Sequence, residues 1–341
     1  MHNNFKKNKI LLNPGPTNTS YNTKMAQLIG SDICHRTEDF YDVLRATKKL
    51  LLERFLLESK HQSIDDWEIA LIGGSGTTAM EALVGSLCPS TQVHTVVAGK
   101  YGQRLCDMMD VYHLKYQEIK AQTIEDLERK NEVTHLFFVE NETTTGEKFA
   151  VATVHNNYPH AKLFIDATSA FGASNYASIL SSIAAISFCS NKCLQSTPGL
   201  GIVIWRKELM TYKRNYYFDL TKYTTNIPPF TVPVQSVYAL HSALQEHPDN
   251  TSLFNKRSKK IIADFAEIGI PCINKFPSNA IMGFAHPTKT YEELRSFLLR
   301  RDIVIYSGIE GYKNSFRIAT MSVEFDNKYP NIINIFHESV H

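Results

Sequence analysis

At 341 residues, with 43% hydrophobic and 21% charged residues, the chain has the composition of an ordinary globular protein, which excludes a disordered or fibrous one. A formal net charge of +2 leaves no concentrated basic face, so neither nucleic acid nor a membrane surface is an expected partner. No signal-like stretch opens the sequence, no window nears the ~18 apolar residues of a membrane span, and the six cysteines form no metal framework; a cytoplasmic protein with free thiols is expected.

The elements read in order as follows. An extended arm ends in Asn13-Pro14-Gly15-Pro16. Helical patterns begin after it, and Thr37 to Leu57 reads as a capped amphipathic helix. Apolar strands then alternate with helices: Ile69–Ile72, His94–Ala98, Leu136–Glu140, Leu163–Asp166, Ile183–Phe188 and Gly201–Trp205, with helices over Thr78–Leu87 and Gly102–Asp110. Strands apolar throughout and separated by helices imply an α/β fold with a mostly parallel sheet buried on both faces. Past His247-Pro248-Asp249 the texture becomes α+β. A helix over Leu253–Ile268, a strand at Ile281–Ala285, a helix at Tyr291–Arg300, strands at Ile303–Tyr306 and Phe316–Ala319 and a last helix near Tyr329–His337 are expected. The domain boundaries expected are an arm over 1–20, a large α/β domain over 21–245 and a small α+β domain over 246–341.

In a parallel sheet the ligand sits beyond the strand C-termini, and four features fall there. Gly73-Gly74-Ser75-Gly76-Thr77-Thr78 joins a strand to a helix and offers an anion cradle, without the lysine of a nucleoside-triphosphate loop. Tyr101 follows the next strand and can stack on a heteroaromatic ring. Asp166 ends a buried strand, where a carboxylate needs a cation such as a protonated pyridine nitrogen. Lys192 lies 26 residues on, after the following strand, where burial lowers an amine's pKa as a Schiff-base nucleophile requires. Alone, each has a plainer reading: a capped turn, a core aromatic, a turn-capping acid, a solvated lysine. Together, in one order and at one sheet edge, they point to pyridoxal 5′-phosphate (PLP). The histidines show no metal-ligand spacing, so no metal is expected.

Gly74-Ser75-Gly76-Thr77, Glu142-Thr143-Thr144-Thr145-Gly146, Asp166-Ala167-Thr168-Ser169-Ala170-Phe171-Gly172 and Ser190-Asn191-Lys192-Cys193-Leu194-Gln195 together resemble class V, fold-type I PLP aminotransferases, most closely the 2-aminoethylphosphonate–pyruvate transaminase group. The resemblance runs from Leu11 to Ile318. It implies the PLP-transferase fold of type I, a mostly parallel seven-stranded sheet in a large domain plus the small α+β domain. It implies that Lys192 holds the cofactor and shuttles a proton, and that Asp166 pairs with the pyridine nitrogen. Tyr101 and Thr168 would cover the two ring faces and Thr143 would meet the ring hydroxyl. Ser75, Gly76, Thr77 and Asn191 would bind the phosphate, with Thr231 reaching in from the second subunit of a homodimer. Arg317 would take the substrate carboxylate, with Arg36 assisting on the phosphonate, and Gly15 would lie beside the substrate.

The chain departs from that group in two segments near substrate. Pro228-Pro229-Phe230-Thr231-Val232-Pro233-Val234 replaces a Trp-Arg-Phe-Thr-Ser-Pro-Thr run and leans toward alanine–glyoxylate relatives, and His35-Arg36-Thr37 stands where Ser-Arg-Asp is common. The implied reaction moves an amino group between 2-aminoethylphosphonate and pyruvate, giving phosphonoacetaldehyde and alanine in either direction. An alanine– or serine–glyoxylate aminotransferase is the alternative. A cysteine desulfurase would need a reactive cysteine on a mobile loop, for which Cys272 is the best on offer, and a non-catalytic binding protein would lack Lys192 or Asp166.

Overall fold

The computed structural model describes residues 9–57, 62–247, 250–309 and 312–341. Residues 1–8 of the expected arm, and Pro248 and Asp249 at the expected domain junction, lie outside them. A short strand β1 (Ile10–Leu11) and helices α1 (Tyr21–Ile29) and α2 (Glu38–Phe55) come first. Strand and helix then alternate through β2 (Trp67–Gly74), α3 (Gly76–Leu87), β3 (Val93–Val97), α4 (Lys100–Val111), β4 (Tyr116–Lys120) and β5 (His135–Val139). A small hairpin, β6 (Asn141–Glu142) and β7 (Glu147–Lys148), and α5 (Val151–Asn157) lead to β8 (Lys162–Asp166), β9 (Ile183–Cys189), β10 (Gly199–Arg206) and α6 (Val234–Glu246). The last stretch holds α7 (Thr251–Glu267), β11 (Ile281–Ala285), α8 (Tyr291–Leu299), β12 (Ile303–Val304), β13 (Tyr306–Ser307), β14 (Ser315–Ala319) and α9 (Phe325–Val340).

Seven strands form the main sheet in the order β2-β10-β9-β8-β5-β3-β4, with β10 antiparallel to both of its neighbours and the other pairings parallel. Successive side chains on a strand point to opposite faces, and the core divides accordingly. Phe138, Ile165, Ile186 and Ile202 join the apolar cluster under α2 and α6. Their neighbours Phe137, Phe164, Ala185 and Val203 join the cluster under α3 and α4. Because both faces are covered, these strands carry no polar alternation, which is why they stand out in the sequence.

A separate core serves the C-terminal part. Ile261 and Phe265 of α7, Leu294 and Leu298 of α8 and Phe336 of α9 pack on Phe284, Phe316 and Ile318 of the three-stranded sheet β11-β14-β13. Leu12 is buried in the same cluster, and β1 pairs in parallel with β12, so the chain's beginning is built into its end.

The structure corrects several element boundaries. β4 was not anticipated, because Tyr116-Gln117-Glu118-Ile119-Lys120 is a half-exposed edge strand without an apolar run. α6 was missed as well, since its residues follow a proline-rich loop without a cap signal. The single strand expected over Ile303–Tyr306 splits at Ile305: β12 pairs with β1, and β13 pairs with β14. The last helix begins at Phe325, ahead of Pro330, rather than at Tyr329. Among the described residues no helix is long and apolar enough to cross a membrane.

Candidate active site

The C-terminal ends of β2, β3, β5, β8 and β9 meet at one edge of the sheet, and each of the four sequence features sits there. Between β2 and α3 the chain turns tightly. Gly74 has φ +152°, and a side chain on it would lie 2.8 Å from Thr78 Cβ. The Ser75 N–H donates to Thr78 Oγ1 at 3.1 Å, and a Cβ on Gly76 would lie 2.7 Å from Thr168 Cγ2. Only glycine lets the start of α3 come this close to the Asp166–Thr168 turn. The positive end of a helix therefore opens onto the same space as that acid.

Asp166 is buried, and both of its hydrogen bonds, from the Thr168 N–H (2.9 Å) and hydroxyl (2.6 Å), fall on Oδ1. Among the described residues Oδ2 keeps its acceptor capacity. Burial pushes the carboxyl up to about 6; the two Thr168 bonds oppose the shift and Glu142 adds to it. A buried acid with a spare oxygen suits a cationic donor such as a pyridinium N–H.

On the neighbouring strand β9, Ser187 is the register partner of Asp166, and Lys192 follows the strand end. The Lys192 ammonium donates to the Pro14 carbonyl. Burial lowers its pKa. Cys189, Cys193 and Asp166 favour the charged form, and Arg317 acts the other way. Gly15, at φ +106°, presses on this amine: a Cβ there would lie 2.6 Å from Lys192 Nζ. The turn after β1 thus forms one wall of the lysine's pocket, so Gly15 makes room for the lysine itself.

Tyr101 opens α4, and the start of that helix is held by the β6–β7 hairpin. The buried Glu142 carboxylate accepts from the N–H groups of Tyr101 (3.1 Å) and Gly102 (3.0 Å), and Lys100 N–H donates to Thr144 Oγ1 (3.1 Å). Arg104, one turn along α4, lies 4.7 Å above the Tyr101 ring and donates to Thr77 Oγ1 at 3.0 Å. Its charge also lowers the Asp166 pKa. Thr143 is buried with its hydroxyl 3.1 Å from Ser169 Oγ, and its carbonyl accepts from Arg317 Nη1 at 2.6 Å. Arg317 Nε donates to Ser307 O at 2.6 Å, and burial lowers the guanidinium pKa. A cleft of about 1130 Å³ opens beside Arg317, lined by Lys100, Lys275 and Lys313 as well as by Glu147 and Glu292.

Arg36 and Thr231 are exposed in the single chain. They share one edge: Gln235, at the start of α6 just past Thr231, donates to Asp32 at 3.3 Å, in the same loop as Arg36. Asn191 is half-buried beside Lys192. Glu142 and Arg104 carry weak signals in the sequence: Arg104 lies three residues past Tyr101 on one helical face, and Glu142 opens the Glu142–Gly146 stretch.

The residues fit PLP. The N-terminus of α3 opens beside Asp166, Asp166 Oδ2 has no donor among the described residues, and the desolvated amine of Lys192 follows the adjacent strand. No family model matches the chain. Solved structures match it nearly end to end. It superposes on an aspartate aminotransferase of subgroup IV from Thermus thermophilus with a TM-score of 0.84 at 24% identity, covering 97% of this chain and 98% of the other. It superposes on alanine–glyoxylate aminotransferase from Nostoc sp. with a TM-score of 0.82 at 19% identity, covering 100% and 97%. The fold is therefore that of these aminotransferases. In sequence the chain is 27% identical to the 2-aminoethylphosphonate–pyruvate transaminase of Pseudomonas putida and 28% identical to that of Bacillus cereus, in both cases over 92% of this chain and 92% of the relative.

Proposed function

We propose that this protein transfers the amino group between 2-aminoethylphosphonate and pyruvate, interconverting that pair with phosphonoacetaldehyde and alanine. The observation that carries the reading is a desolvated amine, Lys192, and a buried acid, Asp166, past the ends of adjacent strands, with the amine within electrostatic reach of the Arg317 guanidinium. The end-to-end likeness to curated 2-aminoethylphosphonate–pyruvate transaminases selects the substrate pair.

PLP, when bound, supplies a carbonyl that condenses with amines and a cationic ring that accepts the electron pair released at the substrate carbon. Lys192 is the amine that would anchor the cofactor and then carry the proton to and from that carbon; burial lowers its pKa, which favours the free base. Asp166 would take the pyridine N–H and keep the ring charged. Tyr101 and Thr168 would cover the ring faces, and Thr143 would meet the ring hydroxyl. Ser75, Gly76, Thr77 and Asn191 would bind the phosphate. Arg317 orients the anionic end of each substrate in turn, its planar fork matching a carboxylate or phosphonate, and Arg36 assists on the phosphonate.

The working form is a homodimer in which Thr231 reaches the partner's phosphate site. Exposed Tyr21, Leu28 and Ile29 on α1, with Tyr216 and Ile227 near Thr231, supply an apolar surface for it. The units are an arm over 1–20, a large domain over 21–245 and a small domain over 246–341. The second core, which gathers residues from 261 to 336 around Leu12, supports this division.

A substrate panel tests the function. Amino transfer from 2-aminoethylphosphonate to pyruvate should exceed transfer from alanine or serine to glyoxylate. The reverse order favours the glyoxylate enzymes, a reading supported by the superposition on the Nostoc enzyme and by the proline-rich segment before Val234. Lys192→Ala should abolish turnover and the visible absorbance of the lysine-bound cofactor. Retention of both would refute the role of Lys192.

A further inference from the structure

We propose that Glu142 is a positioning residue that sets the spacing between the Tyr101 ring and the Arg317 guanidinium, and with it the site's selection among anionic substrates. The proposal rests on the aminotransferase reading above.

Glu142 is fully buried, and its carboxylate is saturated from two sides. Oε2 accepts the N–H groups of Tyr101 (3.1 Å) and Gly102 (3.0 Å), while Oε1 accepts the N–H (3.2 Å) and hydroxyl (2.5 Å) of Thr144. The same Thr144 oxygen accepts the Lys100 N–H. The first turn of α4 therefore delivers three consecutive N–H groups to residues 142 and 144, and a negative charge there is favoured by the helix dipole. Gly99 lets the carboxylate come this close: a Cβ on it would lie 2.6 Å from Glu142 Cδ.

The adjacent residue does the complementary job. Thr143 O receives Arg317 Nη1, so the ring and the guanidinium hang on consecutive residues of one hairpin. The far end of that hairpin is tied to the C-terminal part, because Glu147 accepts the N–H groups of Lys275 and Phe276 at 2.9 Å each, and the Asn274 amide. One peptide unit, between residues 142 and 143, therefore links the Tyr101 backbone to the Arg317 guanidinium that would hold the substrate's anionic end. Freeing α4 from Glu142 lets the ring move relative to the guanidinium, and misplacement of this kind costs rate and binding at a distance from the chemistry.

The holoenzyme variants Glu142→Gln and Gly99→Ala test this by independent routes, one removing the charge and one crowding it. Both should still take up PLP. The KM for pyruvate should rise on the order of tenfold or more while kcat changes less, and the near-ultraviolet circular dichroism of the bound cofactor should weaken. Folded variants with wild-type KM and wild-type dichroism overturn the proposal, as does a loss confined to kcat. Should Glu142→Gln fail to fold, Gly99→Ala decides by the same readings. If the wild type takes up PLP but transfers no amino group, the substrate reading falls alone; the proposal is then read from pyruvate affinity and the dichroism. A wild type that takes up no PLP overturns both.

Discussion

Two buried carboxylates stand at the same sheet edge and differ in how they are satisfied. Asp166, at the end of β8, receives both of its hydrogen bonds on one oxygen, and burial raises it to about 6. Glu142, in the β6–β7 hairpin, uses both oxygens on backbone N–H groups and a hydroxyl. Backbone donors positioned by a helix end compensate for lost water, so Glu142 is complete without a ligand. Among the described residues Asp166 leaves Oδ2 without a donor, which is where the proposed cation would bind.

The largest expected effect breaks or supports that contrast directly. In the holoenzyme, Asp166→Asn should lower kcat on the order of a hundredfold to a thousandfold, because a neutral carboxamide stops holding the ring cationic. Steady-state kinetics on saturated enzyme reads this; a loss under threefold would contradict the assigned partner.

In cofactor-free protein the order of the two acids should invert. A carboxyl whose folded pKa lies above its unfolded value of 3.8 favours the protonated form on folding. Its contribution is fully present below 3.8 and is lost as pH rises through about 6, by at most about 3 kcal/mol. Asp166→Asn keeps the acceptor for the Thr168 donors, so the apoprotein should be as stable as wild type or more so at pH 7. Glu142→Gln should instead destabilise by about 1–3 kcal/mol, leaving helix N–H groups poorly paired. Urea unfolding of the two apoproteins at pH 7 gives the comparison.

Arg317→Lys should raise the KM for pyruvate about tenfold with a smaller change in kcat, since an ammonium cannot form the bidentate pair. The smallest effect lies far from the site. His286 is buried, accepts the N–H groups of Thr288 and Lys289 on Nδ1 and lies 3.0 Å from Ser339 Oγ; burial lowers it to about 4. Its neutral form is favoured on folding, so this stability is present above 6.5 and is lost as pH falls through about 4. A melting curve at several pH values should show a drop over that window of a few degrees, flattened in His286→Gln.

Much of the sheet and the places of Asp166 and Lys192 are legible in the linear chain. Buried parallel strands are continuous apolar runs, and a polar residue closing such a run falls at the ligand edge whatever packs around it. Tyr101 and the glycine turn follow from the same rule. β4 and α6 escaped because an edge strand with one covered face and an uncapped helix carry weak local signals.

The remaining features depend on partners far apart in sequence. Ile303 to Tyr306 looks like one strand, yet Ile303 and Val304 pair with β1 while Tyr306 and Ser307 pair with β14, so two distant segments divide it. Glu142 meets residues some forty positions earlier in the chain, and Lys192 meets Pro14, 178 positions earlier. Residue type and local period dictate which groups reach the sheet edge. Long-range contacts alone determine which of those acids is saturated and which amine is desolvated, since hydrogen-bond satisfaction and burial belong to the packed chain and not to any segment of it.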